Sequence, residues 1–185
     1  MICPPSVFAH SAPCAPQMGG IKSVLVADPD AVGVAVKEVA GTASLSAVTP
    51  GAKPFFRWEV APGQNTLVTE AKIDEANNVK YFATDLSAAL NGFDATTAGV
   101  SLLARLTRLL FIVECKNGTS FLVGCVAVYG DARPAATIAR GADVTCFNWT
   151  PGQANSDAVR ATVSAHLDSF IMPPVVSGYS ALVND

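Results

Sequence analysis

Charge is what this chain has least of. Only 15% of its 185 residues are Asp, Glu, Lys or Arg, while half are apolar; an ordinary soluble domain carries about 25% charged residues. A monomer must cover its surface with polar groups, so the shortage points to surface buried between subunits. The competing expectation is a secreted domain rich in Ser, Thr and Ala. The 12 basic and 15 acidic residues leave a net charge of −3, with no Lys/Arg cluster. That argues against a reader of nucleic-acid sequence. A mildly acidic protein could still surround DNA without gripping it, because like charge does not hold phosphate.

Other absences narrow the function. No apolar run approaches the ~18 residues of a membrane span. No signal peptide is expected: residues 1–20 lack a basic start, and Pro4, Pro5, Pro13 and Pro16 interrupt any apolar core. No phosphate loop, dinucleotide fingerprint or metal-binding carboxylate cluster is present, so no cofactor is expected. The only histidines are His10 and His166. A Cys–His–acid triad needs a nucleophile beside a base, and these two lie in an irregular arm and on the outward side of a strand. No enzyme is expected. Cys3, His10 and Cys14 could offer three metal ligands, but their spacing fits no tight structural zinc pattern and a fourth is missing. A Cys3–Cys14 disulfide or free thiols are the alternatives, with thiols favoured. The cysteine count of five is odd, and Cys115, Cys125 and Cys146 sit in apolar runs as small buried hydrophobes. Reduced thiols and cytoplasmic folding follow. Asn117-Gly118-Thr119 and Asn148-Trp149-Thr150 fit a glycosylation pattern but read more simply as a hairpin turn and a strand end.

What is present is β-structure. The stretch 109–124, LLFIVECKNGTSFLVG, carries two apolar runs around Lys116-Asn117-Gly118. Asn-Gly supplies the positive-φ positions of a tight turn, so this is a β-hairpin. Both of its strands are apolar on nearly every residue, which predicts cover on both faces: a helix on one side, another sheet or subunit on the other. That helix is expected over 94–109. Asp94 is its N-cap, Leu102, Leu103, Leu106, Leu109 and Leu110 form an apolar stripe, and Arg105 and Arg108 lie near its C-terminus. Elsewhere alternation predicts strands over 21–28, 31–39, 55–61, 66–73, 79–90, 142–149 and 159–167, with an edge strand at 170–172 halted by Pro173-Pro174. Phe56, Trp58 and Val60 are expected to face inward, as are Phe82, Thr84, Leu86, Ala88 and Leu90. The fold class is mainly β: an antiparallel sandwich or barrel of about eight to ten strands with one flanking helix. The organisation is an extended arm (1–20), one β-rich domain (21–172) and a tail (173–185).

Several residues together carry a resemblance. Cys3 and Cys14 precede Gly19-Gly20-Ile21-Lys22. Tyr81-Phe82 opens a strand that leads through Leu90-Asn91-Gly92-Phe93-Asp94 to FIVECKNGTSFLVG. Asn155-Ser156-Asp157 then leads into an alternating strand followed by Pro173-Pro174. Over residues 1–175 this order resembles a family of structural proteins of phages and prophages of Bacteroidetes-type bacteria, of the tail-tube kind. The resemblance implies a virion protein assembled in the host cytoplasm. Six subunits would form a ring, and stacked rings a tube that conducts DNA. Partners would be the chain itself and other virion proteins. A capsid-associated or head–tail connector protein, or a soluble ligand- or receptor-binding β module, are the alternatives.

The arm 1–20, the loop 47–54 and the tail 173–185 are turn-rich and poor in charge. They are the expected inter-subunit contacts, through Val7, Phe8, Met18, Val48, Pro50, Lys53, Pro173, Pro174 and Tyr179. Glu70, Asp74 and Glu75 form an acidic group that is either a solvated strand end or a surface facing a channel.

Overall fold

The computed structural model describes residues 19–29, 34–39, 42–47, 53–91, 107–127, 137–150 and 160–184. Among them the fold is mainly β. The strands are β1 (Ile21–Ala27), β2 (Val34–Val39), β3 (Thr42–Ala47), β4 (Phe55–Glu59), β5 (Thr66–Asp74), β6 (Val79–Asn91), β7 (Arg108–Cys115) and β8 (Ser120–Val123). They continue as β9 (Cys125–Ala127), β10 (Thr137–Ala139), β11 (Ala142–Thr150), β12 (Arg160–Ser169), β13 (Val175–Ser177) and β14 (Val183–Asn184). Among the described residues more strands form than the eight to ten expected.

One curled, half-barrel sheet holds most of them, and β7 is its hub. Its first residues, Arg108 and Leu109, pair with Asp143 and Ala142 of β11. From Leu110 onward it pairs with β1, and from Phe111 onward with β8. The chain of antiparallel pairs β4–β1–β7–β11–β12–β6 is almost a ring. A single bridge, Val60↔Leu90, joins its two ends.

Alternation along these strands fills the curl. Val24, Val26, Leu86, Ala88, Leu109, Phe111, Val113, Ala165 and Leu167 are buried in one cluster, with Trp58, Val60 and Leu67 against it. Trp58 meets Phe111 edge-on, ring centroids 6.4 Å apart at 67°, a favoured aromatic geometry. The opposite face of the β1–β7–β8 region carries Leu25, Leu110, Ile112 and Leu122, with Phe55 of β4. These are covered by Val176, Leu182 and Val183.

That cover corrects the expectation for the tail. The stretch 173–184 is packed onto its own domain: the Leu122 N–H donates to Pro174 O at 2.9 Å, and β14 pairs with β4. β7 is apolar on successive residues because the curl lies on one side and the C-terminal stretch on the other. Of the helix expected over 94–109, residues 94–106, including Leu102, Leu103, Leu106 and Arg105, lie outside the described residues. Where description resumes, Thr107 is a bend and Arg108 and Leu109 are already strand. The 3/4 stripe misled at Leu109 and Leu110, which point to opposite sides of β7, one into each core.

Three local expectations also change. The β7–β8 turn is a three-residue loop. Gly118 N–H donates to Cys115 O at 3.1 Å and Cys115 N–H to Thr119 O at 2.9 Å. Gly118 takes φ +84°, while the Asn117 side chain accepts from Thr119 N–H at 2.9 Å. This is a turn followed by a left-handed glycine, not a two-residue turn with two positive-φ residues. Phe56, expected inside, is 55% exposed, although by alternation it shares Trp58's side of β4. Phe170 and Ile171 form bends and Met172 is irregular, so 170–172 is not an edge strand, and Phe170 and Met172 are exposed.

Asn65 makes the clasp of the half-barrel. Ala61 N–H donates to Ala89 O at 2.7 Å. Beside that bond, Ala89 N–H donates to Asn65 Oδ1 at 2.8 Å, and Asn65 Nδ2 donates to Ala61 O at 2.5 Å. The amide stands in for a missing ladder residue, and its loss leaves two backbone groups without these bonds. Asn65→Ala should therefore cost about 1–3 kcal/mol in urea melts. Glu59→Ala, exposed on the neighbouring strand, should stay within about 0.5 kcal/mol. Equal losses would show that Asn65 is not the clasp.

Candidate functional site

A dense polar group lies where β1, β4, β7, β8 and the C-terminal stretch meet. Glu114 is its centre, with a side chain only 13% exposed. It sits near the end of β7, opposite Ser23 and Ser120 in the two ladders. Ser23 Oγ donates to Glu114 Oε2. Arg57 Nη1 donates to the same oxygen at 2.7 Å and to Ser23 Oγ at 3.0 Å. Tyr179 OH donates to Glu114 Oε1 at 2.8 Å. The phenol proton is then used, so Ser120 Oγ is the donor in its 2.7 Å contact with Tyr179 OH. A cavity of about 190 Å³ opens beside this group.

Burial pushes the Glu114 carboxyl up, but the hydrogen bonds from Ser23, Tyr179 and Arg57 together outweigh it and hold the group below its ordinary value. Burial also raises the Tyr179 phenol. A carboxylate held ionised by three donors is a weak base, and Ser23 donates to it without being activated. The arrangement locks the C-terminal stretch to the sheet. It does not build a nucleophile.

A second polar row crosses the outer face of the β11–β12–β6 region. Arg108 Nε donates to Asp143 Oδ1 at 3.0 Å. Asp143 lies opposite His166, and His166 opposite Asp85. His166 Nδ1 is 2.7 Å from Asp85 Oδ1, and Nε2 is 3.2 Å from Asp168 Oδ1. The hydrogen bond to Asp85 raises the imidazole most; burial opposes it, and Asp168 adds to the rise. With a carboxylate at each nitrogen, the protonated ring donates twice. Among the described residues, no group of three or more His, Cys, Asp and Glu side chains is arranged to hold a metal ion.

A cleft of about 670 Å³ opens at the end of the β5–β6 hairpin, lined by Ile73, Asp74, Glu75, Val79, Tyr81, Asp168 and Phe170 among others. It brings together two of the three acidic residues singled out in the sequence. Asp74 is tied into the turn: its Oδ1 accepts from Ala76 N–H and Asn77 N–H at 3.1 and 3.3 Å, and its Oδ2 from Asn77 Nδ2 at 2.7 Å. The Asn77 side chain contributes most to lowering its carboxyl below the ordinary value. Glu75 is exposed in the turn, and Glu70 is exposed on β5 outside the cleft lining. Asp168 and Phe170, far away in sequence, were not anticipated. Continuing the β12 alternation past Leu167 would have placed Asp168 beside His166 on the outward side.

Of the expected contact residues, Val7, Phe8, Met18, Val48 and Pro50 lie outside the described residues. Lys53 is exposed and Pro173 half-buried. Pro174 is buried, and Tyr179 is held by Glu114 and Ser120, so these two serve the chain's own core. Cys115, Cys125 and Cys146 are thiols rather than disulfides; Cys125 is buried as expected, but Cys115 and Cys146 are only half-buried, and burial raises the Cys115 pKa. Cys3, His10 and Cys14 lie outside the described residues. No described helix is long and apolar enough to cross a membrane. Comparison with models of protein families, with curated proteins and with solved structures finds no match.

The Glu114 lock carries a pH signature. Because its carboxyl is held below the ordinary value of 4.5, the stability it adds is fully present above that value and is lost as pH falls through the lowered one. Glu114→Gln should cost about 1–3 kcal/mol at pH 7. It should also flatten the decline of stability between pH 5 and pH 3, measured by urea melts across that range. An equally steep decline in the variant would assign the acid sensitivity to other carboxylates.

Proposed function

We propose that this chain is a virion structural protein, a tail-tube-type subunit whose hexameric rings stack around DNA. The carrying observation is exposed apolar surface on a chain poor in charge. Val68, Ile73, Phe170 and Met172 are all exposed, and Ile73 and Phe170 line the same cleft. An isolated subunit leaves this surface wet, and assembly would cover it. The resemblance of residues 1–175 to phage tail-tube proteins supports the same reading. So does the polar chemistry of the described residues, which is spent on locking strands. The acidic side chains Glu70 and Glu75 suit a surface past which DNA slides without being held.

A second reading, a soluble ligand- or receptor-binding β module, is favoured by the open cleft of about 670 Å³, a size that accommodates small ligands. The two readings separate on assembly. Purified protein should form rings or tubes in negative-stain micrographs and run well above monomer mass in light scattering. A strict monomer across micromolar concentrations and moderate salt would overturn the assembly reading. Closed shells or single discs without tubes would favour a capsid-associated or connector role.

A further inference from the structure

The strand β5 stands at one end of the sheet order and, among the described residues, pairs only with β6. It has nine residues, TLVTEAKID, none of them buried. Natural edge strands are commonly blunted by proline, by a bulge, by shortness or by charged side chains, and of these β5 carries charge, at Glu70, Lys72 and Asp74. β5 contains no proline, and its register with β6 runs without a shift from Thr66↔Ser87 to Asp74↔Val79. Val68 and Ile73 are 46% and 60% exposed on it. Its outer line of N–H and C=O groups is a template for another strand.

We infer that this edge pairs with the β5 edge of a second copy of the chain, antiparallel, across a two-fold axis at Ala71. Charge selects that partner and that register. With the axis perpendicular to the sheet, opposite residues share a face, so the axis falls at a residue; an axis at Val68 makes no charge pair, and four other central registers remain. An axis at Glu70 sets Glu70 against its own copy. An axis at Lys72 sets Lys72 against Lys72 and Glu70 against Asp74. An axis at Thr69 makes no charge pair. An axis at Ala71 sets Glu70 against Lys72 twice, by symmetry, and Thr69 against Ile73. Opposite charges across a strand pair stabilise it and like charges oppose it, so of these central registers only this one is self-complementary; an axis at Ile73 would pair Lys72 with Asp74 but overlap little of the strand. The contact is isologous and closes on itself. It deepens the assembly reading by naming one contact, but it does not require rings or stacking.

Sedimentation velocity on charge-reversal variants tests it. Wild-type protein should contain a dimer that Glu70→Lys or Lys72→Glu alone weakens tenfold or more, since each sets like charges opposite each other. Both positions are exposed, and circular dichroism should be unchanged. An equimolar mixture of the two variants should dimerise again, because the lysine introduced in one then faces the glutamate introduced in the other. The double variant Glu70→Lys/Lys72→Glu should do the same. Ala71→Cys, at the axis, should cross-link to a dimer under mild oxidation beyond any background in the wild type. Unchanged association in the single variants, no rescue on mixing, or no added cross-link would each overturn the register. Tubes that persist in Glu70→Lys would leave the assembly reading standing while removing this contact. A dimer without rings would do the reverse.

Discussion

The fold depends on β7 having no solvent face. Leu109, Phe111 and Val113 point into the curl, and Leu110 and Ile112 point the other way; all five are almost wholly buried. A strand of this kind cannot end a sheet or lie on the surface. It needs neighbours along both edges and cover above and below. The β1 and β8 ladders supply the edges, the half-barrel supplies one cover, and the C-terminal stretch supplies the other. Gly124 shows how closely the pieces fit: at φ +118° a side chain there would meet Leu110 Cδ1 at 2.8 Å and the Gly141 backbone at 3.2 Å.

The polar chemistry follows from the same constraint. Where β7 reaches the rim of its core, Glu114 needs partners, because a half-buried carboxylate without them is costly. Ser23, Arg57 and Tyr179 provide them from three other segments. The C-terminal cover is therefore held by apolar contact through Val176, Leu182 and Val183 and pinned by one phenol. Removing that cover would wet Leu110 and Ile112 and strip Glu114 of a donor together, so the last dozen residues belong to the domain in an energetic sense as well as a geometric one.

Much of this was legible locally. Period-two alternation placed Leu86, Ala88, Ala165 and Leu167 correctly, and the double-sided apolar character of 110–113 announced a strand covered on both faces. What covered it was not legible, because a buried strand does not say which distant segment lies on it. The run at Leu109-Leu110 satisfied a helical spacing and a strand equally well, a familiar ambiguity of short apolar runs. The prolines at 173 and 174 suggested a tail, although a proline carbonyl accepts a ladder bond as well as any other. In the acidic group, Asp74 and Glu75 lay close in sequence and stayed close in space. Asp168 came from another strand, and only the β12–β6 register brings it there.

The open edge is a consequence of how the curl fails to close. One side of β6 pairs with β12 along Phe82–Asn91. The other side is shared: Leu90 bridges to Val60 and Ala89 bonds Ala61 and Asn65, but from Ser87 down to Val79 it is taken by β5. A closed barrel would give all of that side to β4. Here the chain leaves β4, turns at Pro62-Gly63, and lays β5 along the edge that β4 would have used. Among the described residues, the strand that prevents closure has no neighbour on its own outer edge. Backbone donors and acceptors on such an edge are satisfied by water or by another strand. The exposed Val68 and the bare Ile73 make the second outcome the better use of this surface. A half-barrel clasped by one asparagine and held open by its own fifth strand thus leaves, among the described residues, one strand edge without a neighbour.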